Sequence, residues 1–494
     1  MTQISINNLT FGYENSATNV FDNVSFNFDS SWKLGLIGRN GKGKTTLLNI
    51  LRGKLNYQGK INTTLTFDYF PYNVIDKSRP TIDIIEEINP EYELWKVIIK
   101  LNELQVKEDV IYQTFSTLSN GEQTKVMLAI LFSKDNNFLL IDEPTNHLDV
   151  QSRQSVMEFL NKQTGFIVVS HDRDFLDGCI DHIMSINKNN IEIKKGNFSS
   201  YWLNKNNQDK YEQEQNAKLE KEISHLKESV ERISLWANKV EKTIKGTRNS
   251  GVKQDKGYVS HKSKTMMQRA KAIETRQLKA IDEKEKLLKN IDTYDTLKII
   301  PTHNINSRYV GLKNIVINYN NTSINSPLTF EIEPHDKIAL VGKNGCGKSS
   351  SSILKLILGM NIPYTGELYV NKKIKISYVS QANEDFSGTL GQYIEYKKLD
   401  KTIFLTVLRK LDFEREMFTK SMSELSAGQL KKVRIASSLC TSADLYIWDE
   451  PLNYIDVFSR IQLEDLIKST DLTIIFVEHD SAFIHNVATK VVNM

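Results

Sequence analysis

The chain has 494 residues, enough for two to four domains with full cores at ~150 residues each. Lys and Arg number 64 against 60 Asp and Glu, a net charge of +4, and 40% hydrophobic with 25% charged residues excludes a largely disordered chain. There is no run of ~18 apolar residues for a membrane span, no signal-peptide pattern in MTQISINNLTFGY, and Cys179, Cys346 and Cys440 are too dispersed for a disulfide framework or a close zinc site. A cytoplasmic protein without a membrane partner is expected.

In chain order, WKLGLIG (32–38) reads as a short apolar strand running into the glycine loop GRNGKGKT (38–45), with TTLLNIL continuing as a helix. FDYFPY, LSNGEQ (118–123), the strand-like FLLID of FLLIDEPTNHLD (138–149) and the strand FIVVS before His171 follow. Residues 203–304 carry none of these words. Leu219, Ile223, Leu226, Val230, Ile233, Ala237, Val240 and Ile244 repeat at alternating four and three, a coiled-coil seam. Met266, Ala270, Ile273, Gln277, Ala280, Lys284, Leu287 and Ile291 keep that spacing on the return, and the stretch near 245–264 reads as a loop. The words then recur: DKIALVG (336–342), GKNGCGKS (342–349), SYVSQ, LSAGQL (425–430), LYIWDEPLNYID (445–456), TIIFV and VEHD (477–480).

The intervals recur as well. Lys44 to Ser119 spans 75 residues and Lys348 to Ser426 spans 78; Ser119 to Asp142 and Ser426 to Asp449 both span 23. One unit is written twice. Alternating strands and helices predict two α/β domains with mostly parallel sheets, at 1–202 and 305–494, joined over 203–304 by a long antiparallel helical hairpin.

A glycine loop between strand and helix suits a triphosphate, because backbone N–H groups must approach it closely. Gly38, Gly41, Gly43, Gly342, Gly345 and Gly347 meet that need. Lys44 and Lys348 are assigned to the β/γ-phosphates, and Thr45 and Ser349 to Mg²⁺. Asp142 and Asp449, each ending an apolar strand, are placed to hold the same ion. Glu143 and Glu450 are the candidates to activate water, and His171 and His479 to contact the γ-phosphate. Cys346 is read as a variable loop position.

The words L-S-[GNA]-G-[EQ] between such a loop and D-E-P resemble the signature of ABC-type ATPases over roughly 390 residues. The resemblance implies two domains facing head to tail around two ATPs. One site then joins Lys44, Thr45, Asp142, Glu143 and His171 to Ser426 and Gly428; the other joins Lys348, Ser349, Asp449, Glu450 and His479 to Ser119 and Gly121. It also implies nucleotide contacts from Asn40, Thr46, Glu122, Asn344, Ser350 and Gln429, adenine stacking on Tyr13 and Tyr319, and Mg²⁺ contact from Gln381. The departures are Tyr72 where the second half has Gln381, Asn120 and Ala427 for a signature glycine, and Tyr454 for the histidine at His147. Serines 349–352 stand where the first half has Leu47 and Leu48, which is expected to weaken helix packing. Two competent but unequal sites are expected.

Charge is uneven. Residues 239–279 hold twelve Lys and Arg against Glu241, Asp255 and Glu274, +9 within a +4 chain, with Trp236, Tyr258, Met266 and Met267 interleaved. A one-signed charge with stacking groups favours RNA. The candidate contacts are Lys242, Lys245, Arg248, Lys253, Lys256, Tyr258, Lys262, Lys264 and Arg269. Two ABC domains joined by a basic helical linker resemble the ABC-F proteins, and IGRNGKGKTTLL, EKEKLLK (283–289) and ADLYIWDEPLNYID resemble the Lsa-type antibiotic-resistance members. The resemblance implies a monomer with an intramolecular ATPase dimer. It further implies binding at the tRNA exit site of the 70S ribosome, with the linker passing P-site tRNA toward 23S rRNA of the peptidyl-transferase centre and relieving lincosamide, pleuromutilin or streptogramin A. The alternatives are a housekeeping translation factor of the same architecture, or a soluble exporter or DNA-maintenance ATPase.

Overall fold

Short apolar runs that end in glycine, aspartate or serine become the buried central strands of two parallel sheets in the computed structural model. The structure describes residues 2–494 except 15–18, 135–136, 147, 188–189, 246–263, 266–267, 270, 274, 278, 280–307, 320–321, 324, 343–346, 382–385, 412 and 414. At 233–234, 236–245, 319, 322–323, 347–350 and 415–416 it describes the backbone alone.

In the first half, a six-stranded sheet runs Thr66–Phe70, Asn137–Asp142, Phe166–Val169, Lys33–Ile37, His182–Ile186, Ile191–Lys195, parallel except for the last strand. Its central strands are apolar at almost every position because both faces are covered. A small antiparallel sheet, Phe21–Asp29, Gln3–Phe11, Gln58–Asn62, packs its inward residues Ile4, Ile6, Phe26 and Phe28 into the same core. The second half repeats the plan. Its parallel sheet runs Ile376–Val379, Leu445–Asp449, Ile474–Val477, Lys337–Val341, Lys490–Asn493, and Val310–Tyr319 pairs antiparallel with Leu328–Ile332 and Tyr364–Val370. Strand register places Tyr69 opposite Leu140 and Tyr378 opposite Ile447, so Tyr72 and Gln381 are structural equivalents.

The two signature words each start a helix. Ser119 caps Asn120–Ser133 and Ser426 caps Ala427–Cys440, with Glu122 and Gln429 returning a bond to the cap backbone. The helix after the second glycine loop, Gly347–Ile357, buries Ile353, Leu354, Leu356 and Ile357 in the core. Ser352 is buried, and Ser351 has a separate use described below.

By internal packing the chain forms two units, Met1–Tyr201 with Thr296–Met494, and Trp202–Asp295. A 48-residue helix, Phe198–Lys245, leads into the second unit. Along it Ile223 is buried and Leu219, Leu226 and Val230 are half-buried, the face the four-and-three spacing picks out. The described residues between 264 and 279 are helical, and Gln277 Nε2 donates to Ser229 Oγ at 3.1 Å. Ile273, expected on the seam, is 49% exposed. The remaining seam positions of the return lie outside the described residues. No described helix is long and apolar enough to cross a membrane.

Candidate functional site

The first glycine loop is shaped by backbone sign. Gly41 and Gly43 have φ of +84° and +94°, conformations that a side chain resists. Lys44 Nζ turns back onto its own loop, donating to Gly38 O at 2.7 Å, Arg39 O at 3.3 Å and Asn40 Oδ1 at 3.4 Å. Burial pulls this ammonium down, and Asp456, Glu143 and Asp142 oppose the shift. Thr45 Oγ1 stands 3.5 Å from Asp142 Oδ2, at the end of the neighbouring strand. Tyr13, 50% exposed, meets Phe11 edge to face and shares a 2.9 Å hydroxyl bond with Thr46.

Glu143 and Glu450 both take left-handed backbone, φ 51° and 46°, rare for a side chain of this kind. Their amides are fixed by Val169 O at 2.9 Å and Val477 O at 3.1 Å, so the neighbouring strand sets the turn in both halves. Glu143 Oε1 is buried without a hydrogen-bond partner and lies 3.2 Å from His171 Nε2. Burial, then Asp142, pushes the Glu143 carboxyl up to about 8, and burial likewise raises Asp142. His171 is held well below its usual value by burial, Lys44 and Arg460, so it is neutral at pH 7.

The residues present fit Mg²⁺ and a triphosphate. Two adjoining carboxylates whose charged forms are disfavoured want a cation between them. Beside them are a hydroxyl, a lysine bonded only to its own loop, and an unpartnered carboxylate oxygen.

The second half lays out its acids differently. Asp449 Oδ1 accepts from Ser351 Oγ at 2.9 Å, whereas Asp142 Oδ2 accepts from Tyr69 OH at 3.0 Å. Gln381 Nε2 donates to Glu450 Oε2 at 2.7 Å, not to Asp449, and Asn453 Nδ2 reaches the same oxygen at 2.6 Å. Tyr72, in the place of Gln381, donates to Asp68 at 2.9 Å beneath Lys134, away from Asp142. His479 has a buried, unpartnered Nδ1 and is pulled down by burial and Arg153. Gly342 is half-buried at the end of its strand. Asn344, Gly345, Cys346 and His147 lie outside the described residues, as do the side chains of Tyr319, Lys348, Ser349 and Ser350.

The halves meet head to tail. Asn40 Nδ2 donates to Tyr454 O at 2.9 Å, and a Cβ on Gly428 would stand 3.0 Å from Asn40 Nδ2. The first glycine loop thus faces the second signature. On the other side, Arg153 Nη1 bonds Asp172 at 3.1 Å and His479 O at 2.9 Å. Arg460 bonds Asp480 at 2.9 Å and places its charge on Glu143 and His171. Arg153 and Arg460 were missed from the sequence, although each stands four residues after an equivalent aspartate, Asp149 or Asp456. Tyr69 and Ser351 were also missed.

Arg173 reaches from the first half to Glu464 of the second, where Asn486 also donates at 3.0 Å. Glu464 is almost wholly buried. Arg173→Met leaves that carboxylate without its counter-charge, and the expected loss is about 3 kcal/mol. The denaturation midpoint of the nucleotide-free protein measures it, and an unchanged midpoint shows the pair to be dispensable.

Of the assigned RNA contacts, Lys264 and Arg269 are described and exposed. Arg248, Lys253, Lys256, Tyr258 and Lys262 lie outside the described residues, as do the side chains of Lys242 and Lys245.

A family model described as ABC transporter matches residues 21–146 and 325–453. The ribosome protection protein VmlR of Bacillus subtilis (strain 168) is 28% identical over 480 residues, 96% of this chain and 83% of its own length. The ATP-binding protein Uup of Buchnera aphidicola subsp. Acyrthosiphon pisum (strain APS) is 28% identical over 520 residues, covering 99% and 80%. ABC transporter F family member 2 of Arabidopsis thaliana is 24% identical over 559 residues, covering 99% and 76%. Among solved structures, the archaeal ribosome recycling factor aABCE1, in complex with the stalk protein aP1, shares the fold at TM-score 0.62 and 19% identity, over 98% of this chain and 87% of that one. Two matched ATPase domains on a shared fold, with glycine loop, acidic strand ends and signature helix repeated in each, leave one conclusion: the chain belongs to the ABC transporter family, in its ABC-F group, and is an ATPase that uses ATP with Mg²⁺.

Proposed function

We propose that this protein is a cytoplasmic, ribosome-associated ATPase that protects the 70S ribosome from antibiotics of the peptidyl-transferase centre. The observation that supports the reading is the head-to-tail seating of Asn40 against Tyr454 and Gly428, which sets the first glycine loop against the signature of the other half. The name of its relative VmlR, a ribosome protection protein, and the basic stretch 239–279 support the partner.

Lys44, Thr45 and Asp142, with Ser426 and Gly428 opposite, form the first nucleotide site; Lys348, Ser349 and Asp449, with Ser119 and Gly121 opposite, form the second. Bound Mg²⁺ and ATP supply the bond that is broken and the charge that stabilises its breaking. Glu143 and Glu450 orient water with a carboxylate held by a fixed backbone turn. Neutral His171 stays beside Glu143 without adding a positive charge there and is placed to contact the γ-phosphate. Segments 1–202 and 305–494 close on ATP, and 203–304 enters from the tRNA exit site toward the peptidyl-transferase centre, its lysines on 23S rRNA phosphates near P-site tRNA. Lincosamides, pleuromutilins and streptogramin A are the drugs relieved.

Expression in a susceptible bacterium is expected to raise tolerance to lincomycin and tiamulin. Neutralising Lys253, Lys256, Lys262 and Lys264 is expected to weaken co-sedimentation with 70S ribosomes and flatten its salt dependence. Ribosome binding with unchanged tolerance points to a housekeeping factor. Absence from ribosomes at moderate salt rejects the translation reading altogether.

A further inference from the structure

The second signature helix buries two charges that the first lacks, Lys431 and Arg434. In the second half, Lys431 lies five residues beyond the Ser426 cap and is 4% exposed. Its Nζ donates to Ser380 O at 3.2 Å and to Asp449 O at 3.3 Å. Ser380 directly precedes Gln381, which holds Glu450 at 2.7 Å. Glu478, also 4% exposed, accepts from Leu452 N at 2.7 Å and His479 N at 3.0 Å, and it is foremost among the carboxylates that act on Lys431. The first half has Thr124 and Ser170 at these positions. Thr124 donates to Asn120 O of its own helix at 2.9 Å, and Ser170 shares a 3.0 Å bond with Thr145. Neither carries charge.

The N-terminus of the Lys431 helix faces the first glycine loop, through Gly428 and Asn40. The groups that Lys431 grips belong to the second site. A rigid helix with one end on one site and a buried ammonium on the other moves both together. The mirror helix, with threonine, lacks that grip.

We propose that Lys431 is a positioning residue through which occupancy of the first ATP site sets the turnover of the second. Its grip on Ser380 O and Asp449 O holds the Gln381 loop and the Glu450 turn in register with the Ser426 end of its helix. This rests on the assignment of Ser426 and Gly428 to the first site. For binding, such coupling is reciprocal, but for turnover it need not be symmetric, so the second site responds to the first more than the reverse.

The test is a coupling ratio measured on the full chain. ATP turnover at the second site is compared with the first site held filled by Glu143→Gln and with it emptied by Lys44→Ala. Lys431→Met is expected to lower this filled-to-empty ratio by about fivefold or more, and Lys431→Arg to restore it, since a long cation still reaches both carbonyls. Thr124→Met, measured in the mirror backgrounds Glu450→Gln and Lys348→Ala, is expected to leave its ratio unchanged. Equal loss in both backgrounds reduces Lys431 to local scaffolding and overturns the proposal, as does an unchanged ratio. If Lys431→Met melts early, Lys431→Gln keeps a donor without charge and serves in its place. Bound nucleotide counted on the Lys44→Ala protein separates the two premises. A fall from two to one with an unchanged ratio rejects the coupling alone. A count that stays at two rejects the site assignment and the coupling with it.

Discussion

The double variant Glu143→Gln/Glu450→Gln is expected to bind ATP with unimpaired affinity and to lose ATP hydrolysis by about 10²- to 10⁴-fold, the range that a positioned general base supplies. The substitution keeps size and one hydrogen-bonding oxygen while removing the basic lone pairs. Both side chains leave left-handed backbone turns pinned by the neighbouring strand, so the amide occupies the carboxylate's place. Gln381 and Asn453 now donate to Glu450 at 2.7 and 2.6 Å, and an amide oxygen accepts from them equally. Single-turnover hydrolysis and retention of labelled ATP measure the two effects. With hydrolysis blocked, the closed form accumulates, and co-sedimentation with 70S ribosomes in ATP should rise. Hydrolysis within tenfold of the parent removes these glutamates from the chemistry.

The two single variants are not equivalent. Glu143 is buried against neutral His171, with its carboxyl pushed up by burial and Asp142. Glu450 is tied to the Gln381 loop, which has no counterpart in the first half because Tyr72 is drawn off to Asp68. The hydrogen bonding of the two sites differs beyond Tyr72: Tyr69 steadies the acid of one site and Ser351 that of the other.

This explains what was legible beforehand. The glycine loops, acidic strand ends and signature words were readable because each is set by local chemistry, namely close backbone approach to phosphate, a carboxylate at a strand end, and a hydroxyl capping a helix. Their duplication gave the two-fold plan. Tyr69, Ser351 and Lys431 were not readable because each role is a pairing between distant strands and helices. A serine in a helix looks like lost packing until Asp449 is seen 2.9 Å from it. Arg153 and Arg460 were recoverable, since they repeat at matched positions, but a lone arginine after a helix cap ordinarily means a solvated surface. The exposure of Ile273 marks the limit of periodicity, which orders the residues on one helix face without stating what covers them.

Gly428→Ala is expected to disable the first ATP site while leaving the fold intact. A Cβ there would stand 2.4 Å from Tyr454 O, a backbone atom that cannot rotate away, and 3.0 Å from Asn40 Nδ2. Tyr454 is already in left-handed backbone, φ 65°, and its carbonyl accepts the Asn40 bond that joins the halves. Relief of the clash must displace that carbonyl or the signature, by about an ångström in either case, a misplacement that costs on the order of 10²-fold in rate. Gly121 sits in looser surroundings: its added Cβ would meet Ser152 Oγ at 3.2 Å, the movable end of a small side chain. Gly121→Ala is therefore expected to cost the second site much less. Hydrolysis by Gly428→Ala in the Glu450→Gln background, compared with Gly121→Ala in the Glu143→Gln background, isolates one site at a time, and an unchanged melting midpoint separates closure from folding. Equal losses from the two alanines would show that the Asn40–Tyr454 contact does not set the geometry of the first site.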